Sequence, residues 1–503
     1  MPPGYTEEDL KRKIEKELRT ADFSYRIDSK SLDARKKTFI HWLIRIGITS
    51  PAQNESNLQP VSQLDIPKFN AGKKAIVAGS GPAGFFAALI LQQAGIQVTI
   101  LERGAEVDDR ATRIKQFEQG GAFDPAANYA FGEGGAGTFS DGKLTSRSKH
   151  ISKEREYIIY RYIEAGAPAE IAYLAHPHIG SDILRKVVKN LRHRFQEMGG
   201  TMLFGTMLTD LEIRNGKVLS ALTGSEELAA DYFLIAPGHS SYETYRMLMR
   251  HGVGFRTKNF ALGFRAEHRQ EQVNQSQWGI KKLDGIKAAE YRLTSEADGK
   301  HPVYSFCMCP GGIVVPATAY KDQNIVNGMS YYQRNGNFAN AACVAGMHPD
   351  QLAGKTLSAL DALQWLEQLE QKFYSFSGGY KAPFCSIKNF LEGTEQKSIP
   401  QSSYPLGLIP APLWTMLPDP VTASLRLGLQ DFGRKLRGYE EGILLGLESK
   451  TSSLVQVIRE QNGLCSGFEN LFLIGEGSGY AGGIISSAAD GVKVAMNVVN
   501  GKW

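Results

Sequence analysis

The stretch AIVAGSGPAG (Ala75 to Gly84) narrows the folds open to this chain more than any other. Strand-type residues Ala75 to Ala78 run into Gly79, Gly81 and Gly84 at GxGxxG spacing, then into an apolar helical run, Phe85 to Ala94, and a second strand, Ile96 to Leu101. Each glycine meets a mechanical need. Gly79 permits the tight turn from strand to helix, Gly81 lets the backbone approach a pyrophosphate, and Gly84 lets the helix lie close on the strands. The helix start at Pro82 and Ala83 offers free N–H groups to an anion. Glu102 stands 18 residues beyond Gly84, at the end of the second strand, where a carboxylate accepts from both hydroxyls of a ribose. Strand, turn, helix, strand and acid in this order predict a dinucleotide-binding βαβ unit, and with it an α/β fold with a parallel sheet.

The remainder of the 503 residues excludes several classes. With 57 Lys and Arg against 52 Asp and Glu the net charge of +5 is too mild for a nucleic-acid binder. A 42% hydrophobic content over this length predicts two or three packed domains. The five cysteines, Cys307, Cys309, Cys343, Cys385 and Cys465, are too few and too late in the chain for a disulfide scaffold and fit a reducing compartment. The opening MPPGYTEEDLKRKIEKEL mixes charges without an apolar core, so no leader or anchor is expected there. The most apolar stretch, Ala75 to Leu91, is broken by three glycines and Pro82 and reads as protein core rather than a membrane span. A cytoplasmic protein without metal, nucleic acid or membrane span is the expectation.

Along the chain, residues 1–70 read as a small N-terminal α/β module and linker: a helix over Thr6 to Leu18, strands at Phe23 to Asp28 and Thr38 to Ile48, then polar, proline-containing Pro51 to Asn70. Residues 71–254 read as the first part of the dinucleotide domain, 255–440 as a β-rich inserted substrate domain, and 441–503 as the return to the first domain, ending in a helix from Ile485 to Val499.

Three further segments point to a flavin dinucleotide rather than a nicotinamide one. Glu102, Arg103 and Gly104, the strand and turn ADYFLIAPG (Ala230 to Gly238), and the C-terminal NLFLIGEG (Asn470 to Gly477) with YAGGI (Tyr480 to Ile484) resemble the large two-dinucleotide-binding-domain flavoproteins. The stretches FGEGGAGTFSDGKLTSR (Phe131 to Arg147), HPHIGSD (His176 to Asp182), YSFCMCPGGIVVPA (Tyr304 to Ala317), NGMSYYQRNGNFANAA (Asn327 to Ala342), GLESKTSS (Gly446 to Ser453) and GEGSGYAGGIISSAADG (Gly475 to Gly491) resemble a family known as uncharacterised FAD-dependent dehydrogenases of bacteria and plastids. That resemblance implies a doubly wound parallel sheet with an inserted β-rich domain, FAD as cofactor and an oxidoreductase reaction. It also implies that Gly79, Gly81, Pro82, Ala83, Gly84, Glu102, Arg103 and the main chain of Leu208 hold the ADP half, and that Gly238, Gly475, Glu476, Gly482, Gly483 and Ile484 hold the ribityl and flavin end.

Only one complete dinucleotide fingerprint is present, so NAD(P)H enters either as a transient reductant at the flavin or not at all, with an electron-donor protein in its place. A small organic molecule is the expected substrate. The loop Gly132 to Lys143 carries five glycines, which bring backbone donors of Gly137, Thr138 and Gly142, with Asp141, near phosphate or flavin. A cationic Lys143 there would stabilise a reduced, anionic flavin. The pair Cys307 and Cys309 sits two residues apart at a strand end, placing both thiols on one face as buried packing or as an electron-exchanging pair with Cys309 the foremost candidate. His178 is a candidate proton donor, Arg265 a candidate anion holder, and Glu448 to Ser453 a polar cluster that either lines a site or caps a helix. Asp141, Gly142, Thr145 and Arg147 match only part of the DGxxSxxR pattern of flavin hydroxylases. A monooxygenase or halogenase, and a non-catalytic or RNA-modification-associated FAD protein, therefore stay open as alternatives.

Overall fold

The computed structural model describes residues 1–49, 64–69, 72–146 and 148–501, so most of the expected linker and Arg147 lie outside the described residues. The GxGxxG strand Lys74–Ala78 is the middle of a five-stranded, all-parallel sheet ordered Leu471–Leu473, Tyr232–Ile235, Lys74–Ala78, Gln97–Leu101, Thr201–Leu203. Strand periodicity divides its side chains. Ala75 and Val77 go to a face packed by the helices Pro82–Ala94, Ser152–Glu164, Ser181–Glu197 and Ile484–Val499. Ile76 and Ala78 go to the other, which carries helix Tyr242–Arg250 and an antiparallel meander, Asp210–Arg214, Lys217–Leu222 and Glu227–Ala229. The expected double winding is thus realised on one face only. The connection across the second face turns Leu211 and Ile213, two residues apart, inward, with Val218 and Ala221 on either side of a bulge, so it forms a sheet where a doubly wound fold would place helices.

The glycines explain how tightly the first helix is held. A Cβ on Gly84 would stand 2.0 Å from the Gly79 carbonyl oxygen, and one on Gly491 of the C-terminal helix 2.1 Å from the Ala83 oxygen. Helix Pro82–Ala94 is consequently buried on nearly every side, between the sheet and the chain's last helix.

The second unit is a seven-stranded sheet ordered Thr294–Ser295, Val303–Cys309, Phe338–Met347, Phe260–Arg269, Ile443–Glu448, Ala382–Ser386, Leu408–Pro410, antiparallel except for its last pair. Helices Ala359–Ser377 and Asp419–Lys435 pack on it through Phe373, Leu425 and Leu429. Strand Ile443–Glu448 is interior to this sheet although it follows residue 440, so the chain returns to the first unit only after Glu448. The two crossings pair with each other, Phe255–Thr257 against Val455–Val457.

At the N-terminus, helix Glu7–Leu18 is capped by Thr6, whose hydroxyl accepts from the Asp9 amide while Asp9 accepts from the Thr6 amide. The hairpin Ser24–Asp33 and His41–Thr49 follows. It joins the body through Lys30, whose N–H donates to the Tyr173 carbonyl at 2.8 Å and whose carbonyl accepts from Ala175 at 2.9 Å. Among the described residues no helix is long and apolar enough to cross a membrane.

Candidate functional site

Because all five strands of the first sheet are parallel, their C-terminal ends open on one edge, and the segments singled out in the sequence meet there. Ala78 leads into Gly79, Leu101 into Glu102, Ile235 into Gly238 and Leu473 into Gly475. Two helices begin at this edge, N-capped by Gly81 and by Gly483, and neither has a side chain capping its first amides. Cβ atoms on Gly238 or Gly483 would meet nothing within 4 Å, and one on Gly81 only the Gly135 Cα at 3.7 Å. Free helix N-termini, bare backbone and the strand-end acid Glu102 suit a dinucleotide: pyrophosphate at the amides after Gly81, ribityl and flavin along Gly475, Glu476 and Gly482 to Ile484.

Glu102 itself is 4% exposed and already occupied. Its Oε2 accepts from the Ser80 amide at 3.0 Å and the Ser80 hydroxyl at 2.6 Å, and its Oε1 accepts from the Gly104 amide at 2.8 Å. Three of roughly four acceptor positions are taken, so both ribose hydroxyls are served only if Ser80 lets go. Arg103 turns away: it pairs with Glu243 at 2.6 Å and lies over the Phe131 ring at 3.8 Å. The Leu208 side chain packs in the core with Ile76 and Phe233, while nearby Thr206 donates its amide to the Glu102 carbonyl.

The glycine loop is organised by a residue that no sequence motif singles out. Arg110 is fully buried and donates to five carbonyls, those of Asn128, Tyr129, Gly132, Glu133 and Gly135, at 2.9–3.2 Å. A Cβ on Gly132 would stand 2.4 Å from Arg110 Cδ, so that glycine exists to admit the guanidinium. The loop then passes over the helix starts, with Gly135 against Gly81 and Gly137 against Ile484. Thr138 and Gly142 support the loop itself: the Thr138 hydroxyl reaches the Glu133 carbonyl, and Gly142 (φ +68°) packs on Gly180 and Leu184.

Beyond Gly142 the loop enters a buried charged cluster on the seam between the two units. Asp141 accepts from Ser330 and, through both oxygens, from Arg334 at 3.2 and 2.6 Å, with Lys143 Nζ at 3.4 Å. Burial opposes its charge, but Lys143 and Arg334 prevail and hold the carboxyl well below the usual carboxylate range. Lys143 Nζ is enclosed and has no hydrogen-bond partner. Burial works against its charge too, yet Asp141 and the nearby thiols keep it above the ordinary lysine value. His178 pairs with Lys143 in a short antiparallel bridge and its Nε2 donates to the Tyr332 carbonyl at 3.1 Å. Burial, helped by Arg334, brings it down to about 4. It is therefore neutral at pH 7, with Nδ1 an acceptor, and not the proton donor its position suggested.

On the facing sheet Arg265 is fully buried with every arm engaged: Asn340 at 2.7 Å, Asn327 at 3.0 Å, Glu448 at 3.1 Å, the Cys307 carbonyl at 2.7 Å and Cys309 Sγ at 3.3 Å. With no donor to spare it positions its neighbours instead of holding an anion. Glu448 ends its strand at 1% exposure, and burial outweighs Arg265 to raise it to about 7. It can hold or release a proton near neutrality. A link runs back to the sheet edge through His239, whose Nδ1 is 3.4 Å from Glu476.

The thiols do not share a strand face. The register slips between Phe306 and Cys309, and Cys307 adopts φ +45°, a conformation that costs a non-glycine residue about 1–3 kcal/mol. Cys307 is partly buried and Cys309 buried. Arg334, Glu448 and the two asparagines all lie in stretches that carried the family resemblance, but no spacing rule marks them as partners of residues 62 to 193 positions away.

Two family profiles match the chain: "FAD binding domain" over residues 73–242 and "FAD-dependent protein, C-terminal domain-like" over 259–451. An uncharacterised protein of Clostridium beijerinckii is 36% identical over 513 residues, covering 97% of this chain and 95% of that one. Among solved structures, FqzB overlaps 87% of this chain and 77% of its own at 15% identity and a TM-score of 0.40. Glycine oxidase from Bacillus cereus overlaps 86% and 96% at 12% identity and a TM-score of 0.34. Overlaps this loose bear on nothing further.

Proposed function

Since the chain belongs to the family of FAD-dependent proteins that includes the Clostridium beijerinckii protein, we propose that it is a FAD-dependent oxidoreductase acting on a small organic substrate at the seam, with NAD(P)H as transient reductant. The observation that carries this reading is the meeting of two uncapped helix N-termini, at Gly81 and Gly483, under the glycine loop that packs on both and leads into Lys143. Bound FAD would supply two-electron chemistry at its N5. The chain's own residues do the rest. Gly79, Gly81, Pro82, Ala83 and Gly84 bind the pyrophosphate, and Glu102 orients the ribose once Ser80 yields. Gly475, Glu476, Gly482, Gly483 and Ile484 hold the flavin end, and the Ile484–Val499 helix N-terminus favours negative charge there. Lys143 adds a fixed cation from the glycine loop, its Nζ free of any competing hydrogen bond. Glu448 stores a proton on the substrate side.

The test is an anaerobic titration of the purified protein with NADH and NADPH, following the flavin band, with Lys143→Ala alongside. Saturable bleaching, slowed in the variant, supports the reading. Flavin that dithionite reduces but neither nucleotide does removes NAD(P)H from it, and purified protein that neither carries nor binds FAD overturns it.

A further inference from the structure

The chemistry of Cys307 and Cys309 is not used by the reading above, and their surroundings differ from those of the other thiols. Cys343, Cys385 and Cys465 are buried, and burial pushes each up to about 12. Cys307 alone is partly accessible, beside Phe306, which is 43% exposed. It stands on a strand bulge with a left-handed backbone, a device that re-aims a side chain out of the sheet's alternation. That unfavourable conformation is pinned by two donors to the Cys307 carbonyl, Arg265 at 2.7 Å and the Cys309 thiol at 3.3 Å. Cys309 Sγ also accepts from Arg265 at 3.3 Å and lies within hydrogen-bonding reach of the Cys307 sulfur. The bulge thus holds two thiols together, one on a partly buried residue and the other on a fully buried one.

We propose that Cys307 and Cys309 form a redox-active dithiol, with Cys307 the attacking thiolate and Cys309 the resolving thiol, whose reaction partner is a low-molecular-weight disulfide. The Cys307 thiolate attacks one sulfur of the disulfide RSSR, forming a Cys307–SR bond and expelling RS⁻. Cys309 then loses its proton and attacks the Cys307 sulfur, closing the intrachain disulfide and releasing the second RS⁻. Two thiols of the protein are oxidised and one disulfide is reduced to two RSH, the two protein protons matching the two thiolates released. The proposal rests on the flavin reading only for the two-electron donor, reduced FAD, that would return the pair to dithiol.

The charges around Cys307 favour this order of attack. Lys143 and Asp141 face it from the glycine loop, Arg265 from its strand, Glu448 from the end of the next, and Cys309 from its own. Arg334 faces Cys309. The hydrogen bond from Cys309, opposed by burial and assisted by Lys143 and Arg265, holds Cys307 below an ordinary thiol, while the same hydrogen bond and burial hold Cys309 well above one. A low attacking thiol and a high resolving one are what the two steps require.

The sequence provides a clean readout, because trypsin cleavage after Lys300 and Lys321 leaves Cys307 and Cys309 as the only cysteines of one peptide. The purified full chain is incubated with oxidised glutathione at pH 7, quenched with iodoacetamide and mapped by mass spectrometry. The expected product is the unalkylated peptide lighter by two hydrogens. Cys309→Ser should stop at one glutathione on residue 307, and Cys307→Ser should give neither species. Without added disulfide, Lys143→Met should slow iodoacetamide labelling of Cys307 at pH 6, by roughly fivefold to tenfold for each unit its pKa rises, before the smaller gain in intrinsic nucleophilicity. A peptide that stays dithiol in the wild type, or glutathione carried by Cys309 in place of Cys307, would overturn the proposal. Since no step of the assay needs flavin or nucleotide, its failure is read separately from a failed NAD(P)H titration.

Discussion

Replacing Glu448 by Gln tests whether burial or the Arg265 pair governs the cluster. Glu448 is 1% exposed with the guanidinium 3.1 Å away, and burial prevails, raising the acid from 4.5 to about 7. In that window the folded protein binds the proton more tightly than the unfolded chain. Its contribution to stability is therefore complete below pH 4.5 and is lost as pH rises through 7. At roughly 1.4 kcal/mol per pKa unit, the shift of about 2.5 units amounts to about 3 kcal/mol. Gln keeps the shape and an oxygen for Arg265 but does not titrate, so Glu448→Gln should lack this decline. Urea unfolding followed by tryptophan fluorescence suits the test, since Trp278, Trp365 and Trp414 all belong to the second unit. Between pH 5 and pH 8 the variant's stability should change by about 2–3 kcal/mol in its favour relative to wild type, whatever the absolute cost of the substitution. The infrared C=O stretch of a protonated carboxyl, present in the wild type at pH 6, should be absent from the variant. Parallel pH dependences would mean that Arg265 holds Glu448 ionised, and the proton-storing role would fall.

Three other outcomes follow from the geometry. Arg110→Met should leave five carbonyls without their donor, at a cost of several kcal/mol; protein that purifies with normal FAD content and thermal stability would contradict the loop's dependence on that side chain. Gly84→Ala puts a Cβ 2.0 Å from the Gly79 carbonyl oxygen and should cost about 1–3 kcal/mol or more together with flavin retention, read from the absorbance ratio of purified protein. His178 and His268, both brought to about 4 by burial, should show ring signals in NMR that do not titrate above pH 5. The stability each contributes is present above pH 6.5 and is lost as pH falls toward 4, up to about 3 kcal/mol apiece.

What the sequence revealed and what it hid divide along a physical line. Local signals carried far: the strand, turn and helix around Gly79 to Gly84, the strand ends at Ala236 to Gly238 and Gly475, and the helix start at Gly483 depend on backbone needs that only particular residues within a few positions can meet, and the parallel sheet then brings their ends to one edge. Side-chain pairing was opaque. Asp141 meets Arg334, Arg265 meets Glu448, and Arg110 threads the glycine loop, because a buried charge takes whatever opposite charge or carbonyl the fold delivers, at no fixed spacing. Two readings failed because local regularity yielded to a tertiary demand. The strand-face rule put both thiols on one face by simple alternation, but a bulge pinned by Arg265 breaks the alternation there, and it is the bulge that keeps the two side by side. Residue 440 looked like a domain boundary, yet strand Ile443–Glu448 is apolar throughout except at its last residue and is drawn into the centre of the second sheet, which is what carries Glu448 to the seam.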